Sequence, residues 1–147
     1  MTIREATIED AFSICNISFA DLGYDCSCDF VSTRINNLDN RREKVFVAEV
    51  NGIVAGYIHA EKYQTLYAEP MINILGLAVS SEFRRRGIGR ILLKYTERWA
   101  NEVGINIIRL NSGATRKEAH SFYRAMGYNN EKEQIRFIKD VSEITEI

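Results

Sequence analysis

The stretch that decides the reading is Leu77-Ala-Val-Ser-Ser-Glu-Phe-Arg84-Arg85-Arg86-Gly87-Ile88-Gly89-Arg90. It opens on the end of an apolar run, Ile72 to Val79, whose near-continuous hydrophobicity predicts a strand covered on both faces. It closes where the period changes. Ile88, Ile91, Leu92, Tyr95 and Trp99 recur at helical spacing, and Gly104 supplies a stop in the C′ position. Between strand and helix lie three consecutive arginines and two glycines. A glycine has no Cβ and lets backbone approach a ligand closely, and the unpaired N–H groups of a helix start carry partial positive charge. That order makes a site for a phosphate or pyrophosphate, with the guanidinium groups adding charge-assisted bonds.

Rival readings of the turn fail on spacing. No G-x-x-x-x-G-K-[ST] string occurs, and in a dinucleotide fingerprint beginning at Gly87 the third small residue would have to be Leu92. Too few residues follow Gly87 for the paired halves of a dinucleotide fold. A nucleic-acid patch needs a net basic face. The 147 residues carry 19 basic and 20 acidic side chains, a formal charge of −1, which argues against nucleic-acid or membrane-surface partners.

Outward from this centre the chain reads as one domain, 1–147, with no repeat, linker or low-complexity tract. At 46% hydrophobic residues it has enough apolar material for a core. Thr2 to Glu5 predicts a short strand, and Thr7-Ile-Glu-Asp10 a helix start with an acidic third position. Asp21 to Asp29 reads as a loop and Asp29 to Leu38 as a short helix. Val45–Val50, Asn51-Gly52 and Ile53–His59 form a hairpin signal, because Asn-Gly supplies the two left-handed residues of a type I′ turn. Ile105 to Leu110 predicts a further buried strand. Thr115-Arg-Lys-Glu118 reads as a capping box before a helix with Ala119, Phe122, Tyr123 and Met126 on one face, ended by Gly127. Gln134 to Val141 reads as a last strand. The expected class is α/β (α+β), a mixed, mostly antiparallel sheet flanked by helices.

The charged start and the lack of any long apolar run predict a chain with neither secretory leader nor membrane span. Cys15, Cys26 and Cys28 are odd in number and read as reduced thiols in a cytoplasmic protein. Cys26-Ser27-Cys28 is a poor metal motif, since His59 and His120 have no ligand-like spacing to it, and no metal is expected.

Two motifs together resemble a known family. Arg84-x-x-Gly87-x-Gly89 is similar to the [QR]-x-x-G-x-[GA] pyrophosphate loop of the GNAT N-acetyltransferase superfamily. Ala119-His-Ser-Phe122-Tyr123-Arg-Ala-Met-Gly127-Tyr128 is similar to the family's following helix, A-x-x-F-Y-x-x-x-G-[FY]. The resemblance implies acetyl-CoA as co-substrate. Backbone groups of Arg85, Arg86, Gly87, Ile88, Gly89 and Arg90, with Arg84 beside them, would wrap the pyrophosphate. Leu77, Ala78 and Val79 would line the pantetheine arm, with a backbone N–H polarising the thioester. Asn111 would offer an amide to pantetheine or acceptor, and Tyr123 would protonate the leaving thiolate.

Some of the family's protein-acetylating members carry a glutamate near the place of Asn73, and asparagine cannot take a proton. The base is therefore left open between Glu69, His59 and water. Asp21, Asp25, Asp29, Glu61 and Glu69, in the first helices and the 61–70 loop, favour a small cationic amine as acceptor. A protein N-terminal or lysine acetyltransferase and a non-catalytic CoA-binding module are the alternatives, and a homodimer is compatible with each.

Overall fold

A computed structural model describes residues 1–143, which divide into two compact units, Met1–Asn111 and the residues from Ser112 onward. The first unit is built on a five-stranded sheet in the order β1-β2-β3-β4-β5. Its strands are β1 (Thr2–Glu5), β2 (Glu43–Val50), β3 (Ile53–Tyr63), β4 (Met71–Val79) and β5 (Ile108–Leu110). The first four pair antiparallel and β4 pairs β5 in parallel. A parallel pair needs a long crossover. Helix α3 (Ile88–Glu102) supplies it. The other helices of this unit are α1 (Ala11–Ile17), extended by a wider π-type turn over Ser18–Leu22, and α2 (Cys28–Asn36).

The hairpin forms as its turn residues dictate. Asn51 and Gly52 have φ of 51° and 79°, and Val50 faces Ile53. Apolar clusters cover both faces of the sheet. Ile14 and Ile17 of α1 pack with Val45, Val47, Tyr57 and Ala78 on one side. Trp99 and Ala100 of α3 pack with Ala60, Ile72 and Ile105 on the other. Ile72 is fully buried, and covering a side chain of that size is worth about 1.5–3 kcal/mol. Strand alternation thus puts Tyr57, His59, Glu61 and Tyr63 on the α1 face and Ile58 and Ala60 on the α3 face.

The second unit contains α4 (Lys117–Ala125), with Gly127 left-handed after its end. Three expectations are corrected. Thr115 does not cap α4. A tight turn, with the Arg116 N–H bonded to Gly113 O, delays the helix to Lys117. Strand β5 is only Ile108–Leu110, because Ile105 turns into the α3 core instead of joining the ladder. No strand forms over 134–141. Ile135, Phe137, Ile138 and Val141 are exposed there, and the adjacent Phe137-Ile138 breaks the alternation that would put them on one face.

Candidate functional site

Strand β4 has two unlike halves. Its first half is paired on both sides, Ile72, Asn73 and Ile74 facing Ile108, Arg109 and Leu110. Beyond that rung β5 ends while β4 runs on to Val79. A bulge marks the change, since Ala60 faces Ile74 but His59 faces Gly76, leaving Leu75 as the extra residue. The Ser80 N–H bonds to Ala55 O on β3 at 2.7 Å. By alternation along the strand, the peptide groups of Leu77 and Val79 face the other way, to an edge that no strand among the described residues pairs. Ala78 directs its side chain into the α1 core.

The edge leads to the arginine turn. A short 3-10 turn, Ser81–Phe83, is followed by Arg84 in extended backbone. Arg85 has φ 64° and Gly87 φ 75°. A left-handed non-glycine residue carries backbone strain of the kind found at ligand-binding loops. A Cβ built on Gly87 would meet no protein atom within 4 Å, so its side is open to a ligand. Ile88 is buried and anchors the first turn of α3, while Gly89 and Arg90 stand on the outer side of that turn. Arg84, Arg85, Arg86 and Arg90 are all exposed. Among the described residues only Arg84 has a carboxylate partner, Asp21 on the π-type turn. Arg86 lies over the Phe83 ring at 5.2 Å. A row of exposed guanidinium groups at the start of a 15-residue helix carries the charge and dipole that suit an anion.

Asn111 follows β5 immediately, and its Oδ1 accepts a bond from Arg109 Nη2 at 3.0 Å. His59 is half-buried on β3, with Nε2 at 2.9 Å from Glu43 Oε1. Glu69 is exposed. Glu61 lies on β3, not in the loop that follows, and accepts bonds from Arg42 and Asn73, both at 3.0 Å. Tyr123 lies on α4 in the second unit, half-buried, edge-on to Phe122 at 5.2 Å between ring centres and 6.0 Å from Tyr128. Tyr57 is not among the candidate residues named from the sequence. It donates its hydroxyl hydrogen to Ser18 Oγ at 2.7 Å, Ser18 in turn donating to Ile14 O, and burial pushes the phenol above its usual pKa. Arg109 was also passed over. The i, i+2 spacing of Tyr57, His59, Glu61 and Tyr63 was the available signal for a polar stripe on this face.

The thiols lie together without a disulfide. Cys15 Sγ is 4.0 Å from Cys26 Sγ and donates to Cys26 O at 2.9 Å. Burial, with the neighbouring thiols, pushes the Cys15 thiol up to about 12. No group of three or more His, Cys, Asp or Glu side chains among the described residues is arranged to hold a metal ion, and no described helix is long and apolar enough to cross a membrane.

A strand with one open edge, an arginine–glycine turn and a helix start are arranged as the family resemblance implies, and comparison with known proteins shows the class directly. The model of the acetyltransferase (GNAT) family matches residues 6–128. The chain belongs to that family. It is 33% identical over 135 residues to the "Uncharacterized N-acetyltransferase CT2212" of Chlorobaculum tepidum, covering 89% of this chain and 77% of that one. It is 30% identical over 142 residues to the aminoalkylphosphonate N-acetyltransferase of Salmonella typhimurium, covering 93% and 89%. In fold it resembles an aminoglycoside acetyltransferase from an uncultured soil metagenomic sample, solved with trehalose, at TM-score 0.79 and 20% identity over 96% of each chain. It is an N-acetyltransferase of GNAT type.

Proposed function

We propose that the protein transfers an acetyl group from acetyl-CoA to the primary amine of a small molecule. The observation that carries this is the open edge of β4 running straight into the arginine turn and the start of α3. A pantetheine arm is an extended chain with amide groups, and the peptide groups of Leu77 and Val79 offer it strand-like bonds. A pyrophosphate at the far end meets the N–H groups of Gly87 to Arg90 and the exposed guanidinium groups. The thioester supplies an acyl carbon activated toward nitrogen nucleophiles. A backbone N–H on the β4 edge holds the carbonyl oxygen as negative charge grows on it.

The remaining work is proton transfer. As the amine nitrogen bonds to the acyl carbon and the C–S bond breaks, the electron pair goes to sulfur. Tyr123 supplies the proton there, and the phenolate regains one from water. The amine proton passes to His59, Glu69 or water. Of these, His59 faces Gly76 across the sheet, beside the start of the open edge, and a Glu43 that accepts from its Nε2–H leaves Nδ1 able to take a proton.

The test is Tyr123→Phe, which keeps the ring and removes the donor. With an acceptor for which chemistry limits turnover, kcat should fall about 10²–10⁴-fold while acetyl-CoA affinity holds. A variant with unchanged melting temperature and full rate removes Tyr123 from the mechanism. Calorimetric titration of Gly87→Val with acetyl-CoA tests the loop. Undiminished affinity in a folded variant rejects the loop as the pyrophosphate site.

A further inference from the structure

We propose that the acceptor amine also bears an oxyanion, a carboxylate, phosphate or phosphonate, and that Arg109 binds it. This rests on the acetyltransferase reading and names the acceptor class of the same site.

Arg109 lies on the middle of the three paired rungs of β4 and β5, opposite Asn73. Its Nη1 donates to Asn73 Oδ1 at 2.7 Å and its Nη2 to Asn111 Oδ1 at 3.0 Å, with the guanidinium 4.8 Å from the centre of the Tyr63 ring. These partners fix the plane of the group, and none of them is charged. No carboxylate among the described residues pairs with Arg109. Neighbouring charges are settled differently. Glu61, across the rung from Asn73, is paired with Arg42. Glu43 takes His59 and, at 3.6 Å, Arg34. Asn73 relates the two sides. Its amide nitrogen donates to Glu61 Oε2 at 3.0 Å, so its oxygen is turned to Arg109.

Among the described residues, the patch therefore keeps one oriented guanidinium held by neutral partners, with no carboxylate at ion-pair distance. A guanidinium held in one plane by neutral acceptors is prepared for two-point binding of an oxyanion. Its place fits the reaction. Two residues along β4 from Asn73, about 7 Å at ~3.3 Å per residue, Leu75 begins the open edge. An amine two or three carbons from an oxyanion spans that interval. The same pairings alter the expectation of a cationic acceptor, because Asp21 and Glu61, two of the five carboxylates behind it, are each bound to an arginine.

The experiment compares 2-aminoethylphosphonate, 3-aminopropanoate and propylamine as acceptors at saturating acetyl-CoA, for the wild type, Arg109→Gln and Arg109→Lys. In the wild type, kcat/KM for the better anionic amine should exceed that for propylamine at least tenfold. The two anionic arms distinguish phosphonate from carboxylate. Arg109→Gln should bring the ratio near one, mainly through KM, and Arg109→Lys should restore part of it. Propylamine used as well as both anionic amines overturns the proposal, as does a ratio that Arg109→Gln leaves intact. Direct titration of 2-aminoethylphosphonate into the protein–CoA complex gives a second reading. Binding indifferent to Arg109→Gln, or no binding together with no turnover of either anionic amine, also overturns it. Tenfold weaker acetyl-CoA binding by Arg109→Gln would assign the arginine to the co-substrate's phosphates instead. Failure of the wild type to bind acetyl-CoA at all would overturn the acetyltransferase reading itself.

Discussion

Two arginine–aspartate pairs of the first unit look alike on paper and differ in their number of bonds and in the exposure of the arginine. Arg4 meets Asp10 with two bonds, Nη1 to Oδ2 at 2.8 Å and Nη2 to Oδ1 at 2.9 Å. The Asp10 side chain is 5% exposed and also accepts the Thr7 N–H at 2.7 Å, while Arg4 reaches Glu49 on β2. That pair ties the first strand, the following turn and β2 into one corner. Arg84 meets Asp21 through Nη2 alone, and its own side chain is 53% exposed. A charge with several bonds inside protein is costly to disturb, whereas a singly bonded pair facing water exchanges partners at little cost. The first pair belongs to the fold. The second, on the arginine turn, is free to change partners.

The largest effect should follow from breaking the first pair. Asp10→Asn keeps the shape but replaces one accepting oxygen by an amide nitrogen that cannot accept, so a bond to Arg4 or Thr7 is lost along with the charge, and the loss should be about 1.5–3 kcal/mol. Melting should fall by several degrees, at roughly 2–4 °C per kcal/mol for a domain of this size. The Arg4 hydrogen bond, above all, holds the Asp10 carboxyl below the usual carboxylate range. Its contribution is therefore complete above the unfolded value, near pH ~4, and is lost as pH falls through the lower folded value. Melting curves against pH should show the wild type losing its advantage over Asp10→Asn only in that acid window. An advantage that persists unchanged through it would mean the charge on Asp10 does not stabilise the fold.

Breaking the second pair should act on binding and hardly on folding. Arg84→Ala should weaken acetyl-CoA by only about 1 kcal/mol, roughly fivefold, because any bond to phosphate replaces the one already made to Asp21. Stability should stay within about 0.5 kcal/mol, as for other exposed positions. A melting loss matching that of Asp10→Asn would erase the distinction between the pairs.

That distinction could not be read from the sequence, although much of the fold could. The Asn51-Gly52 turn, strand β4 and helix α3 announce themselves because their signals are local, a dipeptide with left-handed dihedrals or a run with one period. A strand is different, since it exists only by its ladder. Ile135, Phe137, Ile138 and Val141 have the residue types of a strand and form none. The site divides in the same way. The arginine–glycine turn was legible because its chemistry is contiguous. Asp21–Arg84 joins residues 63 apart in the chain and Asn73–Arg109 residues 36 apart, so only register and packing reveal them. His59 and Glu61 were visible as residues, but their engagement with Glu43 and Arg42 was not.

The smallest effect should come from Asp21→Asn, and its sign sharpens the comparison most. Asparagine preserves an oxygen for Arg84 while removing the charge that holds it. If Asp21 competes with phosphate for the guanidinium, the variant should bind acetyl-CoA more tightly by about 0.3–0.7 kcal/mol, within the range of exposed ion pairs. The gain should shrink as salt rises, since the Debye length falls from about 10 Å at 0.1 M to about 3 Å at 1 M. It should also vanish in an Arg84→Ala background, because no guanidinium then remains to be released. Calorimetric titration of the wild type, both single variants and the double variant at two salt concentrations measures all three outcomes. Weaker binding by Asp21→Asn would mean that Asp21 orients Arg84 toward the phosphate. The second pair would then be a fixed part of the site, as Arg4–Asp10 is a fixed part of the fold.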